Sequence, residues 1–163
     1  MISSSLGAAH LTAALVALLF GFVVLAAPKG TQPHRLFGAG YVSAMVVANL
    51  SALGMFRLTG AFNAFHGLAL LSLLTIVWGL FVAMRRRKGW MSSHLYCMSY
   101  SYLGLLAAAA SELVLRIAPL RAVARDGAGI VTAGVMIALA FVLIGTLIVP
   151  RLGRAMLTDV ADR

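Results

Sequence analysis

An all-α bundle of five transmembrane helices is predicted by three features of this sequence. First, 62% of its 163 residues are hydrophobic and only 10% are charged, whereas soluble globular domains carry about 25% charged residues. Second, the apolar residues fall into five runs, near 6–27, 36–56, 61–84, 93–117 and 129–149. Each is close to the roughly 20 residues that cross about 30 Å of hydrocarbon as a helix. Third, the connections are all short, so residues 1–163 read as a single integral membrane domain ending in a short cytoplasmic tail over 150–163. Four helices are expected to form the core, with the fifth packed outside.

The net charge of +9 does not point to nucleic acid, because the bases lie in inter-helix loops and no basic helix or aromatic-rich sheet is present to read a groove or a strand. Topology accounts for it. With the N-terminus outside, the inner side holds nine bases: Lys29, Arg35, Arg85, Arg86, Arg87, Lys88, Arg151, Arg154 and Arg163. The outer side then holds four: Arg57, Arg116, Arg121 and Arg125. The positive-inside rule therefore favours N-outside, C-inside, anchored by the tetrabasic run Arg85-Arg86-Arg87-Lys88. The lone Cys97 excludes an intrachain disulfide.

In chain order, Ser3 to Ser5 are placed to cap the first helix, whose only strongly polar group is His10. Without a positive n-region or a small-x-small cleavage site before Pro28, this run is expected to be a retained helix, not a signal peptide. Pro28-Lys29-Gly30-Thr31-Gln32-Pro33 stops it and turns the chain, and His34 and Arg35 open the second helix. Gly40, Ala44, Ala48 and Ala52 form a ladder of small side chains that lets a neighbouring helix approach closely. Asn49 lies beside that ladder in the outer half, where an amide needs a partner within the protein.

Arg57 to Gly60 make an outer turn. Asn63 and His66, three apart at the start of the third helix, share a face. That helix ends at the basic run, and Trp90 takes an interfacial position. In the fourth helix His94 and Glu112 are eighteen positions apart, which is five turns and roughly 27 Å along the axis. Ser101 and Ala108 fall near the line between them, a stripe expected to face protein. Arg116, four residues after Glu112, is placed to fold back on it. Pro119 to Asp126 form the longest outer loop, and the fifth helix is expected to end at Pro150.

Three spaced segments resemble a known family. They are Lys29-Gly30-Thr31-x-x-His34-Arg35-x-x-Gly38, then Phe65-His66-x-Leu68-Ala69, and finally His94-x-x-x-Met98-Ser99-x-Ser101-Tyr102-x-Gly104-Leu105-x-Ala107-Ala108 leading to Glu112. Together they resemble the bacterial predicted membrane proteins grouped as domain of unknown function 2306, over roughly the first three quarters of the chain. The resemblance implies a small polytopic bundle in the bacterial cytoplasmic membrane, and it implies no particular activity.

By depth, the polar residues sort into an outer layer of His10, His66, Glu112, Asn49 and Asn63 and an inner layer of His34 and His94. A charged group at the membrane centre costs roughly 2.5–3.5 kcal/mol on insertion scales, so partners are expected. Two imidazoles and a carboxylate suit a transition metal held by His10, His66 and Glu112, zinc first, with copper or iron as alternatives. Asn49, Asn63 and Arg116 would then orient the ligands. Such a site would serve metal-dependent or redox chemistry, or its maturation. No local ligand motif such as HExxH accompanies it, and no motif names a reaction or a substrate.

Two further readings stand beside this one. One histidine on each of the first four helices, two outer (His10, His66) and two inner (His34, His94), is similar to the pattern of di-haem b electron carriers. The other reading is a cofactor-free scaffold or assembly subunit, in which these residues hydrogen-bond helices together. The expected partners are the lipid bilayer and either a second copy or another membrane protein.

Overall fold

The computed structural model describes residues 5–56, 59–114 and 126–161, with side chains as far as Arg154. The described residues form five helices and no strand: α1 (Ser5–Ala26), α2 (Gln32–Leu53), α3 (Ala64–Arg85), α4 (Trp90–Val114) and α5 (Gly127–Ala161). All five are long and apolar enough to cross a membrane. Arg116, most of the outer loop from Pro119, and Ser3 and Ser4 lie outside the described residues.

Local capping sets where the helices begin. Thr31 is the N-cap of α2, its Oγ1 accepting from the His34 N–H (3.4 Å) while its hydroxyl donates to the Pro28 carbonyl (2.7 Å). With Pro33 tolerated in the first turn, α2 starts at Gln32 and not at the expected 36. α3 starts three residues later than expected, because Asn63 caps it: its Oδ1 accepts from the Phe65 N–H at 3.0 Å. Asp126 does the same for α5, accepting from the Gly129 N–H at 2.8 Å.

At its far end α5 does not stop at Pro150 but runs on to Ala161 with the proline inside it. Proline removes one ladder hydrogen bond, a loss tolerated in membrane helices, where neighbouring groups re-satisfy the freed backbone. The segment expected as a tail over 150–163 is therefore mostly helical.

The chain divides into two compact units, residues 1–73 and 74–163, with the division inside α3. In the first unit α1 packs along α2. Ala13, Ala17 and Gly21 of α1 are buried, as are Tyr41, Ala44, Met45 and Ala48 of α2. The small-residue ladder thus works as expected at Ala44 and Ala48. Gly40 extends it: the Phe20 ring lies where a Cβ at that position would be.

In the second unit α5 is the long packing partner of α4. Gly145 gives its space to Leu103, and Gly153 takes Leu95 and Tyr96. The second half of α3 meets α4 at Gly79, where a Cβ would lie 2.6 Å from Met98 Cε and 2.9 Å from Cys97 Cβ. Leu71, Leu74, Val77 and Trp78 are exposed on α3; in a membrane such side chains meet lipid without penalty.

The buried face of α4 differs from the expected stripe. Ser101 is buried, but it is joined by Leu105, Ala107 and Ser111, while Ala108 and Glu112 are exposed. Glu112 follows Ser111 directly, which turns it about 100° around the helix, and the seam with α5 takes the serine in its place.

Candidate functional site

Among the described residues, a polar side chain joins each pair of helices consecutive in the chain. His10 of α1 reaches α2, with Nδ1 2.9 Å from the Ala48 carbonyl and 3.2 Å from Ser51 Oγ. Asn49 of α2 reaches α3, its amide donating to Ser72 Oγ (3.2 Å) as well as to the Met45 carbonyl of its own helix (2.9 Å). His94 of α4 reaches back to α3, with Nδ1 2.9 Å from the Gly79 carbonyl. Ser111 of α4 donates to the Ala107 carbonyl (2.8 Å) and lies 3.4 Å from the Gly134 carbonyl of α5. These clasps satisfy groups for which lipid offers no partner.

The histidine tautomers follow from their partners. A carbonyl oxygen only accepts, so in both His10 and His94 a proton sits on Nδ1, the tautomer that leaves the lone pair of an imidazole on Nε2. Ser51 fits this assignment, because its hydroxyl donates to the Val47 (2.7 Å) and Ala48 (2.9 Å) carbonyls and leaves its oxygen to accept. His34 is half-buried in the first turn of α2.

His66 is the opposite case. Its Nδ1 accepts from the backbone N–H of Asn63 at 3.2 Å, so the proton of the neutral ring sits on Nε2. Residue 66 is the third of α3 and Asn63 its N-cap, so the pair forms a capping box in which an imidazole replaces the usual Glu or Gln. Asn63 is itself held by Thr59, its amide donating to Thr59 Oγ1 at 3.0 Å. The imidazole is stacked between two phenyl rings, those of Phe56 (4.9 Å, 23°) and Phe62 (4.9 Å, 29°). The residue is only 2% exposed, and its Nε2 is buried with no hydrogen-bond partner among the described residues. A buried donor left unmade costs about 1–3 kcal/mol.

Of the residues expected to hold a metal, His10 and His66 belong to the first unit and Glu112 to the second. Among the described residues no three His, Cys, Asp or Glu side chains are grouped as a metal ion needs. His10, with Nδ1–H on a carbonyl, has the orientation typical of a metal-ligating imidazole. His66 does not, since ligation through Nε2 requires the proton that the Asn63 N–H places there to move. Asn49 and Asn63, expected to orient ligands, clasp α2 to α3 and cap α3. Sequence reasoning passed over Ser51, Gly79 and the two phenylalanines. Asn63-x-x-His66 was the available signal for the cap, at the spacing of a capping box.

Fold and polar clasps together define a polytopic α-helical membrane protein in which polar side chains join each helix to the next. The chain belongs to the predicted membrane protein family DUF2306, whose family model matches residues 7–152. The match thus takes in most of α5, beyond the three quarters that the sequence motifs cover. No curated protein and no solved structure matches the chain.

Proposed function

We propose that this protein is a membrane-embedded binding module that takes a lipid-soluble, oxygen-bearing molecule at His66. The observation that carries this reading is the buried Nε2–H of His66, without an acceptor among the described residues and flanked by two aromatic rings. A carbonyl oxygen completes that hydrogen bond, and a planar conjugated ring stacks on phenyl faces. Quinones combine both features and connect the site to redox chemistry. Phe62, 62% exposed and stacked on the imidazole, is the ring that an entering ligand displaces.

The test is a titration of the purified protein in nanodiscs with a short-chain benzoquinone, followed by the ¹⁵N signals of the imidazoles. The His66 Nε2–H signal shifts saturably, His66→Leu abolishes the response, and His66→Gln, which keeps an acceptor for Asn63 and an N–H donor, restores part of it. No shift at millimolar ligand sinks the reading.

A second reading is favoured by the tautomer of His10. Its Nε2 lone pair suits zinc, copper or iron, or the iron of haem b, and His94 has the same tautomer in the second unit. Elemental content and a visible spectrum of protein purified without chelator test it: a metal or a Soret band lost in His10→Leu supports ligation. If quinone, metal and haem all fail to bind, the clasps are structural and an assembly role beside another membrane protein becomes the working reading. In this reading the chain sits in the bacterial inner membrane, as the family resemblance implies, and the positive-charge distribution supports an N-terminus outside, with His66 then in the outer half.

A further inference from the structure

The turn between α3 and α4 concentrates charge in a defined geometry. α3 ends at Arg85, Arg86 takes a left-handed backbone conformation (φ 49°), Gly89 does the same (φ 78°), and α4 begins at Trp90. The tight turn lays the Arg86 guanidinium over the Trp90 ring at 5.6 Å, and Arg85 lies over the Phe81 ring at 5.3 Å. Arg85, Arg86, Arg87 and Lys88 are all exposed.

The same end of the second unit receives Arg151. Gly153 of α5 packs on Leu95 and Tyr96, about one and a half turns from Trp90, and Arg151 is exposed two residues before it. The acidic residues with described side chains in this unit, Glu112 and Asp126, lie at the opposite ends of α4 and α5. The remaining two acids, Asp159 and Asp162, are outside the described side chains. Just below the basic turn, on α3, Phe81 and Met84 are exposed apolar side chains.

From this arrangement we infer that the α3–α4 turn is a binding site for the phosphate headgroup of an anionic phospholipid. Arginines present planar forks of N–H donors that match phosphate oxygens. Stacking on Phe81 and Trp90 fixes two of those forks before the ligand arrives, so less side-chain freedom is lost on binding. The adjacent apolar surface at Phe81 and Met84 is what selects a lipid over free phosphate: it runs from the charged turn into the hydrocarbon, where an acyl chain continues from its headgroup. Trp90 marks the level of the interface. This site is independent of His66.

The experiment is native mass spectrometry of the full chain in a neutral detergent, with phosphatidylglycerol, cardiolipin or phosphatidylcholine added in turn. One or two anionic lipids are expected to stay bound at concentrations where phosphatidylcholine does not, with affinity falling as salt rises. Removing a base weakens retention roughly fivefold, measured in Arg87→Gln, whose side chain is exposed, and in Arg86→Gln, which also loses the stack on Trp90. Equal retention of phosphatidylcholine, or unchanged retention in both variants, overturns the inference. So does displacement of the lipid by millimolar inorganic phosphate, which would mark a site for a free anion.

Discussion

His66 Nδ1 accepts the backbone proton of Asn63 at 3.2 Å, and this contact sets both the start of α3 and the chemistry left to the ring. Replacing His66 by alanine removes the cap partner and the ring between Phe56 and Phe62. Stability is expected to fall by about 1–3 kcal/mol, read as a shift in the midpoint of unfolding in mixed detergent–SDS micelles. His66→Gln preserves the acceptor and should recover roughly half of that loss or more. A glutamine variant as unstable as the alanine variant would argue against the capping box.

The three assigned histidines divide into two tautomers. In the protein with ¹⁵N-labelled imidazoles at neutral pH, the proton is expected on Nδ1 in His10 and His94 and on Nε2 in His66. Proton–nitrogen correlation spectra separate these forms, and residue-by-residue replacement assigns them. An Nδ1–H tautomer at His66 would mean that the Asn63 contact does not persist in the membrane.

Asn49 and Ser72 tie α2 to α3 through one hydrogen bond of 3.2 Å. A double-mutant cycle with Asn49→Ala and Ser72→Ala should give a coupling of about 0.6 kcal/mol, and no more than about 1.7 kcal/mol, the range for hydrogen bonds between membrane helices. His10→Leu should cost a similar amount, because the Ala48 carbonyl keeps its bonds within α2. Zero coupling would leave Asn49 bonded to Met45 alone.

Gly79 lets α3 pack closely on α4. Valine there meets Met98 Cε and Cys97 Cβ and pushes away the carbonyl that holds His94. Methionine can yield but a Cβ cannot, so Gly79→Val is expected to destabilise by about 1–3 kcal/mol. The half-buried Cys97 thiol should then react faster with maleimide, and unchanged labelling with unchanged stability would place the contact elsewhere.

Lys29 closes the end of α1 by donating to the carbonyls of Val24 (3.0 Å), Leu25 (2.8 Å) and Ala27 (3.2 Å). Lys29→Met should cost about 0.5–1.5 kcal/mol at neutral pH. Burial also lowers the pKa of this lysine from 10.5. Between the lowered native value and 10.5 the unfolded chain therefore holds more protons than the folded one, and the contribution of this group to stability rises with pH across that window. The pH profile of the Lys29→Met variant should lack this rise, and parallel profiles would show that the group titrates alike in both states.

The number and type of helices were legible because the length of an apolar run is dictated by bilayer thickness, and nothing in a short loop competes with that. Their starts were less legible. Thr31 and Asn63 move α2 earlier and α3 later through single side-chain bonds to backbone N–H groups, which hydropathy does not register. Pro150 misled for a related reason: its cost is local, and the apolar run continues past it. At the site, helical periodicity placed His94 and Ser101 correctly but not Glu112, because one residue of offset decides whether Ser111 or Glu112 meets α5. Histidine tautomers were beyond reach altogether, since they depend on carbonyls that only the packed helices bring near.

The clasps share a property that bears on how the protein is made. Each joins a helix to the next one in the chain, across 38 residues for His10 and Ala48, 23 for Asn49 and Ser72, 15 for His94 and Gly79, and 23 for Ser111 and Gly134. A chain entering the membrane from its N-terminus therefore never has to wait for a distant segment. His10 waits only for α2, Asn49 only for α3, and His94 and Ser111 are delivered with their partners before them or directly after. For these four clasps the order of synthesis is also the order in which the polar groups meet, so insertion can proceed helix by helix, each hairpin sheltering its own hydrogen bond from the lipid as it leaves the translocation machinery.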